Sequence, residues 1–402
     1  MNEMRSLTKG ANRIDLFKAD ISTPAQVWDI AKLEKNLTTM SRFASRHGCT
    51  FLYSCKASSV SSVMEHMVGK VDGFSCSSLF ESKLARQIIG ENGSVHMTSP
   101  GIRADEVCEL AELCDGLTLN SLSQWDRFNE QITTKTSCGI RLNPGVSIVS
   151  DWRFDPSRSG SKLGVSLDNL AARFEEDPNS LSGLKGLHFH IACGRKSFSK
   201  FDDIVNMIEQ HLGGLLHQIE WFNFGGGFYF DKISKIEPFR KSVERLKGKY
   251  GLEVVIEPGT SVVVNAARLV CTVIDLFSSG GKTIAVLDTT VNHMQEVFSY
   301  QLRPSVAGAT INGPNRVVLA GSTCLAGDIF GVYGFAAPVE VGDRIIFNKR
   351  GAYTHAQSHW FNGINLPTIY LVSDNGEITL HQDFSYEDFA RHCGATPEQA
   401  GY

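Results

Sequence analysis

Between residues 26 and 262, short apolar runs of strand character alternate with stretches whose apolar residues recur at helical spacing. The runs 50–54, 73–76, 95–98, 116–120, 138–142, 184–190, 221–224 and 254–257 read as strands, and 79–89, 104–113, 123–131 and 201–212 read as helices between them. About eight β-then-α units of this length predict an α/β fold, a TIM-like (β/α)8 barrel over 26–262. A doubly wound open sheet would place a glycine-rich turn after its first strand, and the sequence has none there.

After Glu257 the texture changes. The runs 269–277, 283–287, 316–319 and 343–347 are short, β-branched and separated by glycine turns. Residues 263–402 are therefore expected to form a mostly antiparallel β domain, with residues 1–25 packing on it. At 402 residues the chain exceeds one ordinary core, which agrees with two domains.

A net charge of −4 leaves no basic footprint for nucleic acid or for a membrane surface. The ten cysteines are scattered without CxxC pairs, the pattern of free thiols in a reducing compartment. Residues 1–20 lack an apolar core of signal-peptide length, and no apolar run reaches membrane-spanning length. A cytoplasmic protein is expected.

The candidate chemistry starts at the end of the first predicted strand, where Phe51-Leu52-Tyr53-Ser54-Cys55 runs into Lys56. The carboxyl end of a barrel strand is where this fold keeps its reactive groups, although a lysine there also serves as a solvated strand end. Three further motifs change its meaning. Gly225-Gly226-Gly227 follows the strand 221–224; glycines let backbone N–H groups approach a phosphate, and a flexible turn is the plain reading. Glu257, followed by Pro258 and Gly259, ends the next strand, where a carboxylate can hold a pyridine nitrogen protonated or cap the following segment. His188 and His190 face the same way on one strand. That spacing suits a metal, but no Cys, Asp or Glu set completes the ligands, so His190 is read as stacking on a ring with His188 behind it. Cys193 stands near enough in sequence to reach a phosphate. Lysine, glycine cradle and carboxylate together predict a pyridoxal 5'-phosphate pocket, with Lys56 as the amine for its aldehyde. Cys324, within Gly321-Ser-Thr-Cys-Leu-Ala-Gly-Asp328, is a candidate general acid or a structural thiol, and Asp328 and Tyr353 lie in the same region.

With these residues assembled, the chain resembles the fold-type III pyridoxal-phosphate decarboxylases, and among them the carboxynorspermidine/carboxyspermidine decarboxylase family. The matching stretches include Asn120-Ser-Leu-Ser-Gln-Trp-Asp-Arg-Phe128, Cys138-Gly-Ile-Arg-Leu-Asn-Pro144, Asn223-Phe-Gly-Gly-Gly227, Glu257-Pro-Gly259, the run ending at Asp328, and Phe361-Asn-Gly363. The resemblance implies a homodimer with shared active sites, in which one subunit supplies Lys56, His190, Cys193, the glycines, Glu257 and Tyr353. The other would supply Cys324 and Asp328, with Asp288 and Asp328 as substrate contacts.

The implied reaction is α-decarboxylation of an amino acid carrying an aminocarboxypropyl arm, with carboxynorspermidine or carboxyspermidine of polyamine biosynthesis as the expected substrate. Neutral residues stand at Gly194 and Thr260 where the family carries acids, and Ala352 replaces a histidine. Fewer acids near the pocket leave less to read a polycation, which keeps open the same arm on another carrier, such as a nucleotide-peptide antibiotic of the microcin C type. An alanine racemase would need a second base opposite Lys56, and Cys324 in its decarboxylase-like loop argues against that. A catalytically inactive regulatory homologue would not need Lys56, Glu257 and Cys324 together.

Overall fold

The computed structural model describes residues 14–133, 136–230 and 233–396. The chain divides into two compact units, one of Lys35–Val262 and one of Met1–Glu34 with Val263–Tyr402.

The first unit is a closed parallel barrel. Its eight strands are Cys49–Ser54, Gly73–Cys76, Ser94–Thr98, Gly116–Leu119, Ser137–Asn143, Gly186–Phe189, Trp221–Asn223 and Glu253–Ile256. The last closes on the first through Val254 opposite Cys49 and Ile256 opposite Phe51. A two-residue strand, Val165–Ser166, adds to the edge of the fifth. Helices cover the outside, so the strands are buried on both faces and read as unbroken apolar runs rather than alternating ones. Serines start two of those helices: Ser78 accepts the Glu81 N–H of Leu79–Ile89, and Ser121 accepts the Gln124 N–H of Leu122–Ile132. The helix Phe201–Leu216 extends past its predicted end because Leu215 and Leu216 continue its buried face. Phe198, Phe201, Phe224 and Phe239 pack ring against ring beside the sixth and seventh strands, with centroids 4.7 to 5.8 Å apart.

The second unit is built on an eight-stranded sheet. Most neighbours are antiparallel, but Ala25–Asp29 runs parallel to Thr368–Val372, and Lys282–Leu287 runs parallel to Asn315–Ala320. A barrel boundary at residue 26 is therefore corrected: Ala25–Asp29 is an interior strand of this sheet, paired on its other side with Ala267–Ser279. Its apolar run satisfies a barrel strand and a central sheet strand equally, so the pattern alone did not place it. Upstream, Leu16 and Ile21 pack with Ala25, Val27, Val270 and Ile346, while Arg344 donates to the Leu16 and Ile21 carbonyls. Residues 1–13 lie outside the described residues. Among the described residues no helix is long and apolar enough to cross a membrane.

Candidate active site

The first barrel strand ends in a 3-10 turn, Cys55–Ala57, and Lys56 is the one exposed residue of the three. The turn is pinned by the Tyr53 hydroxyl, which donates to the Ser58 carbonyl at 3.0 Å, and by the Ser54 N–H, which donates to the Pro258 carbonyl at 3.2 Å. Lys56 is accessible from the barrel mouth yet walled by protein. Desolvation lowers its pKa from the ordinary lysine value, against the opposing pull of Glu257.

Beneath it lies a polar layer fixed by strand register. Arg141 stands opposite His188, and His188 opposite Asn223, on three adjacent parallel strands. Partners in register point to the same face of a sheet, so these side chains form one row. Glu257, two residues beyond the register partner of Asn223, completes it: the Asn223 Nδ2 donates to Glu257 Oε1 at 2.8 Å, and His188 Nε2 lies 3.3 Å from Glu257 Oε2. Glu257 is 4% exposed. Burial alone would raise its pKa, but His188, Lys56 and Asn223 outweigh that and hold it well below the carboxylate range, so it is ionised. The same burial lowers the pKa of His188 and brings Arg141 down to about 10.

The remaining barrel residues line the same opening. Burial, reinforced by Lys56 and Arg141, holds the His190 imidazole well below its ordinary pKa and therefore neutral. The Gly226 N–H donates to its Nδ1 at 3.1 Å, which leaves the ring proton on Nε2. Burial raises the Cys193 thiol while nearby Lys56 lowers it. The glycine triplet is required by space: a Cβ on Gly226 would fall 2.1 Å from the Glu257 carbonyl, and one on Gly227, at φ +86°, 1.9 Å from the Ala192 carbonyl. Two of the three amides are already used, Gly225 N–H by Asn223 Oδ1 and Gly226 N–H by His190. Among the described residues the Gly227 N–H alone of the triplet has no protein acceptor, which narrows the expected phosphate contact to that end of the loop.

Tyr353, Cys324, Asp288 and Asp328 belong to the sheet unit. Cys324 is exposed, and its Sγ and N–H both donate to Asn362 Oδ1 at 3.0 Å. Tyr353, at φ +60°, precedes the short helix Thr354–Gln357. Asp328 is 3% exposed and accepts from the Val291 N–H at 2.8 Å, the Thr323 N–H at 3.1 Å and the Thr323 hydroxyl at 2.5 Å. Asp288 accepts from the Thr272 N–H at 2.9 Å and the Thr23 hydroxyl at 2.5 Å. Both carboxylates are thus engaged within their own unit, where they tie loops to strands.

Residue-by-residue reading passed over Arg141 and Asn223. Each sits inside a quoted motif, and the signal that finds them is position: a polar side chain in an otherwise apolar barrel strand, in register with His188.

These groups fit pyridoxal phosphate: an amine with depressed pKa, an ionised buried carboxylate and a neutral imidazole around a cradle that excludes any Cβ. The comparisons agree. The family described as pyridoxal-dependent decarboxylase, pyridoxal binding domain, matches residues 30–264. A carboxynorspermidine/carboxyspermidine decarboxylase of Herminiimonas arsenicoxydans is 33% identical over 92% of this chain and 98% of its own. A carboxyaminopropylagmatine decarboxylase of Synechocystis is 31% identical over 94% of this chain and 96% of its own. The crystal structure of carboxynorspermidine decarboxylase complexed with norspermidine from Campylobacter jejuni, 29% identical, superposes with a TM-score of 0.82 over 92% of this chain and 100% of that one. The chain belongs to the pyridoxal-dependent decarboxylases, in the branch that holds the carboxynorspermidine/carboxyspermidine decarboxylases.

Proposed function

We propose that this protein removes carbon dioxide from the aminocarboxypropyl end of a carboxylated polyamine, carboxynorspermidine or carboxyspermidine, in the cytoplasm. The observation that carries the chemistry is the pairing of ionised Glu257 with an amine, Lys56, held ready at the same barrel mouth. The substrate rests on the relatives, whose names share a carboxylated aminopropyl arm. Ten free cysteines suit a reducing compartment.

When bound, pyridoxal phosphate supplies an electron sink for the pair left on Cα as the carboxylate departs. Lys56 is the amine that would hold the cofactor's aldehyde, and its lowered pKa favours the neutral form that this needs. Glu257, buried and ionised, is the residue that would hold the ring nitrogen in its protonated form. His190, neutral and fixed by the Gly226 N–H, would offer the ring a flat surface that adds no competing charge. After the Cα–carboxylate bond breaks, the Cys324 thiol of the partner subunit delivers its proton to Cα. On this reading the active site is shared across a homodimer. The exposed side chains of Phe298, Leu302, Ile329 and Phe361, in the same unit as exposed Cys324, are the apolar surface such a contact would cover.

Carbon dioxide release from carboxynorspermidine, carboxyspermidine and a non-polyamine aminocarboxypropyl compound, measured side by side, tests the substrate. Faster turnover of the carboxypolyamines is expected; turnover of the third compound alone overturns the assignment.

A further inference from the structure

Asn223 ends the seventh barrel strand with its side chain buried, at 3% exposure. An asparagine amide has two unlike ends, and both are used here. Its Nδ2 donates to Glu257 Oε1 at 2.8 Å, and its Oδ1 accepts the Gly225 N–H at 2.8 Å. The neighbours fix which end is which, because a carboxylate accepts only and a backbone N–H donates only. A third bond, from the Glu257 N–H to the Gly225 carbonyl at 2.8 Å, closes the circuit. Glu257 and Gly225 are thus joined through backbone and through side chain, and the next amide, Gly226, holds His190.

Gly225 sits at φ +62°, and a Cβ there would lie 2.8 Å from both His190 Nδ1 and the Phe189 carbonyl. Only glycine fits this conformation and this space, and the bonds to Asn223 and His190 fix the loop within it. The second carboxylate oxygen of Glu257 faces His188 Nε2 at 3.3 Å, and among the described residues Asn223 is the side chain that donates a hydrogen bond to the carboxylate.

We propose that Asn223 is a positioning residue that sets the Glu257 carboxylate and the glycine loop as one rigid piece, so that the ring-nitrogen partner and the phosphate cradle keep a fixed spacing. This rests on the reading that pyridoxal phosphate binds at Lys56. The donor half also lowers the proton affinity of Glu257 by a charge-assisted hydrogen bond, which leaves the proton on the ring nitrogen rather than on the carboxylate.

The test uses full-length protein and two variants. Asn223→Asp keeps the volume and the acceptor for Gly225 N–H but puts a second carboxylate against Glu257; Asn223→Ala removes both halves. Each is loaded with pyridoxal phosphate labelled with 15N in the ring, and three quantities are read without substrate: thermal midpoint of the apoprotein, cofactor affinity, and the ring-nitrogen chemical shift. Asn223→Asp is expected to fold, to bind cofactor about tenfold more weakly, and to move the ring-nitrogen signal away from the wild-type value, because the new carboxylate replaces the neutral donor that orients Glu257. Asn223→Ala is expected to weaken affinity further and to move the signal less. A variant that binds weakly but keeps the wild-type ring signal overturns the proposal, and so does failure of both variants to fold. If wild-type protein takes up no pyridoxal phosphate, the cofactor reading itself falls.

Discussion

His188 Nε2 lies 3.3 Å from Glu257 Oε2, and both side chains are all but sealed from solvent, at 1% and 4% exposure. The two titrate with the same consequence for stability. Glu257 has a folded pKa below its unfolded value, so its contribution is complete above about pH 4.3 and is lost as pH falls through the native value. His188 also has its pKa lowered, so the unfolded chain binds more protons and stability falls as pH drops below about 6.5. Buried His190 acts with the same sign.

The apoprotein should therefore hold a steady unfolding midpoint above about pH 7 and lose stability on acidification, first through the histidines and then through Glu257. Denaturant titrations from pH 8 to 4 check this, and His188→Gln should flatten the first part of the fall. A midpoint that rises on acidification contradicts the assignment.

Lys56 gives a second pH prediction. Its amine is deprotonated at lower pH than an ordinary lysine, whose pKa is about 10.4. Trapping of pyridoxal phosphate on Lys56 by borohydride should show its midpoint below that value, while surface lysines follow the ordinary one. Lys56→Arg should leave the thermal midpoint of the apoprotein near wild type and abolish trapped cofactor at this position.

At Gly227 the conformation and the space both exclude a side chain, with φ at +86° and a Cβ site 1.9 Å from the Ala192 carbonyl. Gly227→Ala is expected to destabilise the barrel by about 1 to 3 kcal/mol and to reduce cofactor uptake, because the loop must move away from the sixth-strand segment. Thermal unfolding with and without cofactor reads both effects. An unchanged midpoint would mean that the loop relaxes freely.

Asp328 and Cys324 occupy one loop with opposite expected behaviour. Asp328 accepts three hydrogen bonds from Val291 and Thr323. Asp328→Ala leaves buried donors unsatisfied, so it should destabilise the sheet unit by about 2 kcal/mol or more and loosen the Cys324 loop. Should the unfolding midpoint hold while KM for the carboxypolyamine rises, a direct substrate contact would replace this structural role.

Cys324 is exposed, so Cys324→Ala should leave stability intact and slow turnover by about tenfold or more through the lost proton donor. Mixing Lys56→Ala protein with Cys324→Ala protein should restore activity, to about a quarter of wild type if subunits exchange at random and each site draws on both chains. No recovery after verified exchange would place both residues in sites of a single chain.

Much of this protein follows from local chemistry and was therefore legible in sequence. The barrel strands are unbroken apolar runs because helices bury their outer faces, and the strand-end positions of Lys56 and Glu257 follow from where those runs stop. The glycine triplet announced a close approach, since only a residue without Cβ fits beside the Glu257 and Ala192 carbonyls. Tertiary structure decided what depends on which strands become neighbours. Ala25–Asp29 has the pattern of a barrel strand, but its pairing with Ala267–Ser279 and Thr368–Val372 makes it part of the sheet unit. The row of Arg141, His188, Asn223 and Glu257 gathers residues from three strands and the end of a fourth, so it exists only once register aligns them. Asp288 and Asp328 show the same limit: a sequence displays a carboxylate, but the loop it ties down is set by segments that folding brings to it.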